Sequence, residues 1–378
     1  MLTAIAGCTD SLECKRAHRV LQSEGNEPGT LRAATVFQAA YPAIAPMSDG
    51  SVVCLTCTGF VVMDRTLDVQ REGGEPPYSV AVGSDDTIYV AQLPNRYKAD
   101  TSEGSELDLV AFEPGGARRW RQPLPDRSSA HLISAVPQGV YVETSDGVEL
   151  FAAATGERRV VSPRSVLAAD HNGLFTVTPN QDGATEATLH RLDLTGALQW
   201  ERTWKSPGGV GISAAVTTPE GGLIVVGAAG KSIDFGDRTL SDPVLGVFLA
   251  SIDASGATQW AYALASHGLP NETYSLPSHL ALMPSGDVLL AGELSTGQRF
   301  PFQLRDAYLA IASPTGFIRP HLIVGAGDQR IVGLAAGSDG AAWLEVANEP
   351  IEGEADAEMR FGDHEFHEAD IYVFAIVP

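Results

Sequence analysis

The residues best suited to chemistry lie in one acidic stretch, 348–370, which reads NEPIEGEADAEMRFGDHEFHEAD and contains nine carboxylates. Carboxylate oxygens and imidazole nitrogens are common metal ligands. A divalent cation would here be held by Asp363, His364, Glu365, His367 and Glu368. Their His-Glu-x-His-Glu spacing differs from the helical H-E-x-x-H of zinc enzymes. The stretch is therefore expected to be a solvated acidic loop without a cofactor. The alternative is a cation site, which would favour weak Ca²⁺ binding over catalytic zinc.

A second acidic stretch, 229–246, shares a Phe-Gly-Asp triplet with the first, at 235–237 and 361–363. An apolar ring in a polar loop gains stability when it packs against the body of the protein. We therefore expect Phe235 and Phe361 to pack inward against their own blades and the carboxylates to face solvent. The carboxylates that would bind a partner are Asp234, Asp237, Asp242, Asp356, Glu358 and Asp363.

The sequence offers little for catalysis or for nucleic acid binding. It has no G-x-S-x-G nucleophile motif, and its glycine-rich SPGGVG at 206–211 lacks the Lys-Ser/Thr of a phosphate loop. With 47 acidic and 25 basic residues, the formal net charge is −22. Nucleic acid binding depends on neutralising phosphates with Lys and Arg, so this charge argues against it. An acidic surface favours a basic partner.

Short apolar runs joined by tight turns must position these residues. Seven hairpins are predicted, and their turns are MSDGS, GSDDT, VPQGV, DHNGL, TPEGG, MPSGD and GSDGA. A third strand follows each hairpin, as in 107–112, 247–253 and 371–377. Six of the seven units continue into a fourth strand. A four-stranded unit repeated seven times predicts an all-β fold, a single seven-bladed β-propeller of antiparallel blades.

The seventh unit lacks a fourth strand because the chain ends at Pro378. The run GTLRAATVFQAA at 29–40 resembles a fourth strand and would complete the last blade beside 371–377. This closure would remove two exposed sheet edges. The propeller domain is therefore expected to span 29–378, with 1–28 as a signal remnant or tether.

Unequal spacing between units falls mainly between second and third strands, at 92–106, 178–186, 229–246, 294–306 and 347–370. These connections share one face of a propeller, which we call the loop-rich face. The opposite face, built from tight turns, is the trimmed face. Since binding residues concentrate on loops, the loop-rich face is the expected binding surface. The Gly-x-x-x-Trp phrases that end at Trp120, Trp200 and Trp260 are expected to pack neighbouring blades together.

Units five to seven resemble bacterial SBBP-type seven-bladed propeller repeats, in which a Phe-Gly segment precedes a strand pair that contains D-x-S-G-x-x-x-W. IDFGDRTLSDPVLGVFLASIDASGATQW at 233–260 carries this resemblance. The Gly-x-x-x-Trp phrase is also similar to PQQ-type propeller repeats, which usually have eight blades. The resemblance implies an exported, often surface-associated protein and assigns no catalytic residue.

The first residues, MLTAIAGCTD, contain Ile5-Ala6-Gly7-Cys8, which fits a bacterial lipobox. The apolar run before it is too short for a complete signal sequence. Cys8 would carry a lipid and hold the protein at the outer membrane, which would be its only attachment to a membrane. A short helix is expected over 11–22.

Cys54 and Cys57 form a lone C-x-x-C on a predicted strand. Residues three apart on a strand face opposite sides, so two buried thiols are expected, with a Cys14 disulfide as the alternative.

Two functions of different class follow from these patterns. The first is a non-enzymatic exported propeller that binds a protein or glycan through its loop-rich face. The alternative is a hydrolase or lyase whose acidic residues are dispersed around the propeller axis, and a quinoprotein is a third possibility.

Overall fold

A computed structural model shows an all-β chain folded as a seven-bladed propeller. The structure describes residues 18–22, 31–37, 43–56, 59–65, 67–73, 77–92, 107–124, 131–144, 147–162, 166–178, 184–241, 246–264, 277–299, 302–316, 318–325, 328–349, 359–361, 363–366 and 371–376. Every described blade is antiparallel and runs from an inner to an outer strand. Within those ranges, no helix is long and apolar enough to span a bilayer.

The first three blades each have four strands. Blade 1 contains β3 (Ile44–Pro46), β4 (Val52–Thr56), β5 (Gly59–Met63) and β6 (Val69–Gly73). Blade 2 contains β7 (Pro77–Val82), β8 (Ile88–Gln92), β9 (Leu107–Phe112) and β10 (Arg118–Leu124). Blade 3 contains β11 (His131–Val136), β12 (Gly139–Thr144), β13 (Gly147–Ala152) and β14 (Arg158–Ser162).

Of the next three blades, blades 5 and 6 carry described additions between their second and third strands. Blade 4 contains β15 (Val166–Asp170), β16 (Gly173–Val177), β17 (Glu186–Asp193) and β18 (Leu198–Lys205). Blade 5 contains β19 (Val210–Thr217), β20 (Leu223–Ala229), β23 (Val247–Ile252) and β24 (Thr258–Ala263), with β21 (Ser232–Asp234) and β22 (Thr239–Ser241) inserted. Blade 6 contains β25 (His279–Leu282), the long β26 (Val288–Arg299) and β27 (Phe302–Ala312), and β28 (Ile318–Gly325).

Blade 7 closes the ring with strands from both ends of the chain. Its strands are β29 (Asp328–Ala336), β30 (Ala342–Glu349), β33 (Ile371–Ile376), β2 (Leu31–Phe37) and β1 (His18–Gln22), with β31 (Met359–Phe361) and β32 (His364–Phe366) inserted before β33. Leu31–Phe37 pairs with Ile371–Ile376, so the predicted closure is confirmed.

The helix expected over 11–22 is wrong where the structure describes it. His18–Gln22 is a fifth strand that pairs with β2, because an outer strand leaves its outward N–H and C=O groups available for pairing. The domain boundary between 1–28 and 29–378 stays a prediction.

The core lies between the blades. The inner strands contact one another in a closed circle, from β3 through β7, β11, β15, β19, β25 and β29 back to β3. Seven buried apolar clusters occupy the seven blade junctions. In β23, Phe248 and Ala250 face blade 4 whereas Leu249 faces blade 6. Because side chains alternate along each strand, one strand contributes apolar residues to the junctions on both sides of its blade.

The Gly-x-x-x-Trp phrase joins successive blades, as expected for Trp120 and Trp200. The indole Nε1 of Trp120 donates to the Ala153 carbonyl of blade 3 at 2.8 Å, and Trp200 donates to Ala254 of blade 5 at 2.9 Å. Gly256 has φ +85°, and a Cβ there would lie 3.1 Å from the Trp200 ring. In both cases, the turn of one blade therefore accepts a hydrogen bond from the tryptophan of the preceding blade.

Trp260 contributes to the next junction through a neighbouring ring. It stacks on Tyr262 with centroids 5.3 Å apart, and the Tyr262 hydroxyl donates to the Ser313 carbonyl of blade 6 at 2.9 Å. Burial raises the pKa of Tyr262, so this hydroxyl keeps its proton.

Cys54 is a fully buried free thiol at the junction of blades 7 and 1, as expected for one of the two cysteines. Cys14 and Cys57 lie outside the described residues.

Candidate functional site

The loop-rich face carries two short β-hairpins, β21–β22 (232–241) and β31–β32 (359–366), which we call the outer hairpins. Each extends from the second-to-third connection of its own blade. It then pairs with the outer strand of the preceding blade: Lys205 of β18 pairs with Asp234, and Ile323 of β28 pairs with Phe361. The described parts of these connections are therefore β-structure that links consecutive blades.

Phe235 fixes the first outer hairpin. It is 1% exposed and packs on Trp204 of blade 4 and Phe248 of blade 5, with centroids 5.0 and 5.8 Å away. Phe361 is equally buried in the second hairpin and packs on Phe374 of blade 7 at 5.5 Å. Both rings pack inward as predicted. For Phe235, the expectation of packing against its own blade is incomplete because the preceding blade supplies half of the contact.

Two predicted binding carboxylates on the first outer hairpin differ in their surroundings. Asp234 is exposed and accepts a hydrogen bond from the Gly236 N–H at 2.8 Å. Asp237 accepts the Thr258 N–H of the outer strand of blade 5 at 2.7 Å. Partial burial acts to raise the pKa of Asp237, but the hydrogen bonds from Thr258 outweigh it and lower the pKa. Both aspartates are exposed, and Asp237 also holds the hairpin in place.

On the second outer hairpin, Asp363 lies exposed in the turn and Glu365 is exposed beside it. Glu365 pairs with Arg360 across the hairpin, and His364 is half-buried. Among the residues that the structure describes, no group of three or more His, Cys, Asp or Glu could hold a metal ion. The remaining predicted residues, Asp242, Asp356, Glu358, His367, Glu368 and the lipidation residue Cys8, lie outside the described ranges.

A third projection on the same face was expected to be a loop. Strands β26 and β27 instead continue their pairing as far as Arg299 and Phe302, well beyond the length of the equivalent strands of blade 5. We call this β-arm, residues 294–306, the blade 6 arm. Its sequence, LSTGQRFPFQLRD, contains Gly297, Pro301 and Asp306, residue types that are typical of a loop, so the extended pairing could not be predicted.

An ion-pair network lies at the base of the blade 6 arm. The Arg305 guanidinium donates to both oxygens of Asp328 at 2.9 and 2.6 Å, and to Glu293 at 3.2 Å. These bonds outweigh desolvation and raise the pKa of Arg305. Bidentate Arg–carboxylate pairs have fixed geometry, so the network holds the arm to blade 7. Sequence reasoning missed it because the partners are 12 and 23 residues apart.

The inner strands show where an axial acidic site would lie. Within the described ranges their carboxylates are Asp170 and Asp328, and both bind arginines. Asp170 accepts from Arg191 at 2.6 Å and also holds the N–H groups of its own turn. His279 of β25 is mostly buried, which lowers its pKa to about 4, so it is neutral at physiological pH. Asp170 and Asp328 thus serve structural ion pairs, and Asp170 also serves a turn.

The trimmed face is built from turns whose aspartates are already hydrogen-bonded. Asp193 accepts the Thr195 hydroxyl at 2.6 Å and its N–H at 2.8 Å, and Asp253 repeats both bonds with Ser255. The hydroxyl bonds, followed by the backbone bonds, lower the pKa of both aspartates. The same face also holds a cleft between blades 1 and 2 that the sequence did not reveal.

No family model and no curated protein matches the chain. A chain in a crystal structure of a mitotic checkpoint complex is similar, with a TM-score of 0.51 and 11% identity over 96% of this chain and 100% of that one. The Pan2 WD40 domain of Neurospora crassa gives 0.49 and 11% over 89% and 90%. The WD40 domain of SCAP from fission yeast gives 0.37 and 10% over 96% and 98%. The likeness concerns the fold, and the SBBP-type and PQQ-type resemblances find no matching family.

Proposed function

We propose that this chain is a non-catalytic propeller that binds a protein partner through its loop-rich face. The observation that carries the proposal is that three projections of this face are ordered β-hairpins over blades 4 to 7. Binding without a large ordering cost needs such a preformed surface. The solved chain of similar fold comes from a mitotic checkpoint complex, which agrees with this use of the fold.

The charge of the surface favours a basic partner. Asp234 and Asp363 are exposed at the two outer hairpins, and the formal net charge of the chain is −22. Charge complementarity accelerates association and makes its rate sensitive to salt. Association is therefore expected to slow as ionic strength rises.

Charge reversal on the two faces tests this proposal. Asp234→Lys with Asp363→Lys changes the loop-rich face, and Glu157→Lys with Glu220→Lys makes the same charge change on exposed trimmed-face turns. The tagged protein would be used to capture partners from extracts of the native host at low salt. We expect the loop-rich variant to lose the captured protein and the trimmed-face variant to keep it. The reverse pattern, or no captured protein with the unaltered chain, would overturn the proposal.

The proposal includes export with a lipid on Cys8, which rests on the Ile5–Cys8 pattern. Expression with the native leader and a fatty-acid analogue should label the protein, and Cys8→Ser should abolish the label and release the protein from membranes. An unlabelled Cys8 would remove the lipoprotein part of the proposal without affecting the binding part.

A further inference from the structure

A cleft of about 650 Å³ opens between blades 1 and 2 on the trimmed face. Its walls come from turns of blade 1, around 47–51 and 64–65, and from the Asp86 and Pro114 turns of blade 2. Gln70 and Arg71 of β6 complete it on the outer side. It is therefore separate from the loop-rich face, where the proposed partner binds.

The carboxylates of this cleft already accept hydrogen bonds from residues of the cleft walls. Asp86 accepts the Ser48 N–H at 2.7 Å and the Ser48 hydroxyl at 2.6 Å, which joins blade 2 to blade 1. Asp49 accepts the N–H and hydroxyl of Ser51, and Asp64 accepts the Gln70 amide at 2.9 Å. These bonds hold the walls in place before any ligand arrives.

The two arginines of the cleft differ in their partners. Arg65 on one rim pairs with Asp339 of blade 7, so its charge is already matched. The Arg71 Nη2 contacts the Met47 sulfur at 3.8 Å, and a thioether is a weak acceptor. The charge of Arg71 also acts on nearby Asp49 and helps to lower the pKa of that carboxyl group, after the hydrogen bonds from Ser51. The Arg71 Nε is buried and has no hydrogen-bond partner among the residues that the structure describes. A buried donor without an acceptor is destabilising, so this guanidinium favours an oxyanion.

The surroundings of Arg71 select the kind of anion. Met47, Val62 and Pro114 give the cleft apolar contacts, which suit an aliphatic or aromatic group beside the anion. Asp49, Asp64 and Asp86 repel any anion, and they repel a doubly charged phosphate more than a singly charged carboxylate. A guanidinium also pairs with a carboxylate through two parallel hydrogen bonds. Among these anions, a carboxylate attached to an apolar residue suits the cleft best.

We propose that this cleft binds the carboxyl-terminal residue of a peptide chain, with Arg71 as the ion-pair partner of its carboxylate. The side chain of that residue lies against Met47 and Pro114, and the peptide backbone leaves along the junction of the two blades.

Calorimetric titration of the full chain with defined peptides tests the proposal. The probes are acetylated tripeptides that end in Leu, Val or Phe, each as a free carboxylate and as an amide, together with acetate and inorganic phosphate alone. We expect at least one free-acid peptide to bind at least tenfold more tightly than its amide, acetate or phosphate. Equal binding of acid and amide would overturn the proposal, as would phosphate or acetate binding as tightly as the peptides.

Substitution of Arg71 assigns the binding to this cleft. Arg71→Gln should weaken the free-acid peptide at least tenfold, and Arg71→Lys should weaken it less because it keeps the charge. Arg238→Gln, at an exposed arginine of the first outer hairpin, is the matched control and should bind like the unaltered chain. If Arg71→Gln misfolds, Arg71→Lys still tests the proposal. Unchanged peptide affinity in a folded Arg71→Lys would contradict binding in this cleft. An equal loss of affinity in Arg238→Gln would contradict it as well.

Discussion

Glu345 places a carboxyl group in the apolar junction between blades 7 and 1. It is fully buried, and neither side-chain oxygen has a hydrogen-bond partner among the described residues. A Cβ at Gly333 would lie 2.7 Å from Oε2, so the glycine leaves room for the carboxyl group. Burial raises the pKa of Glu345 well above its ordinary value, and burial followed by the charge of Glu345 raises the pKa of the Cys54 thiol.

This pKa shift predicts a pH dependence of stability. Because the folded state holds the proton more tightly than the unfolded state, the free energy of unfolding should fall as pH rises above about 4, until pH passes the folded pKa. Each unit of upward shift corresponds to about 1.4 kcal/mol. Glu345→Gln should flatten this slope, as measured by urea unfolding at pH 5 and pH 8. Glu220→Gln at an exposed turn is the control, and an equal slope in Glu345→Gln would contradict the assignment.

The turn glycines allow a second residue-scale prediction. Gly116 and Gly256 occupy the same place in the Gly-x-x-x-Trp phrase with φ of +87° and +85°, yet only Gly256 faces the tryptophan of the preceding blade. Alanine at either costs about 1–2 kcal/mol for the left-handed backbone. Gly256→Ala should cost measurably more in chemical denaturation because its methyl group meets Trp200. Equal losses would show that the contact with Trp200 relaxes freely.

At this scale, the sequence predicted the packing role of Trp120 and Trp200 because the phrase repeats. It did not predict Glu345 or Arg71, since alternation along a strand indicates burial but not the residues that a side chain meets across a blade junction.

At the scale of elements, the outer hairpins are the main departure from the sequence prediction. Loops of 18 and 24 residues were expected over 229–246 and 347–370. A hairpin of two three-residue strands is too small to be stable alone. It gains stability by pairing with the open edge of the preceding blade and by burying a phenylalanine. The hydrophobic pattern of so short a strand gives no periodic signal, so only Phe235 and Phe361 could be predicted.

The packing of Phe235 predicts a large effect of its removal. Phe235→Ala should lower the free energy of unfolding by about 3–5 kcal/mol, since it leaves a cavity between Trp204 and Phe248. Thr239→Ala, an exposed position of the same hairpin, should change it by less than about 0.5 kcal/mol. Both are measured by denaturant unfolding. A small effect of Phe235→Ala would mean that the hairpin contributes little to the junction of blades 4 and 5.

At the scale of the whole molecule, closure of the ring was predictable from the sequence. The seventh unit has only three strands, and the run at 29–40 resembles the fourth strand of the other units. The fifth strand was not predictable, since His18–Gln22 has too few residues to show alternation.

Two truncations test the closure. Removal of 1–40 deletes β2 and exposes the edge of β33, so cooperative unfolding should be lost or shifted down by more than 10 °C, roughly the effect of several kcal/mol. Removal of 1–25 deletes only the edge strand β1 and should shift the transition by a few degrees. Calorimetry of both proteins compares them, and a normal transition after removal of 1–40 would contradict closure by β2.

Ring closure also determines how long the first strand of the closing pair must wait for its partner during synthesis. Leu31–Phe37 emerges from the ribosome early, but its partner Ile371–Ile376 follows about 330 residues later. At about 5–20 residues per second, the strand waits roughly 15–70 s for the segment that it must pair with. During this interval a β-rich segment with an open edge is exposed to other chains. The nascent protein therefore depends, more than the finished ring does, on whatever keeps this segment from pairing elsewhere.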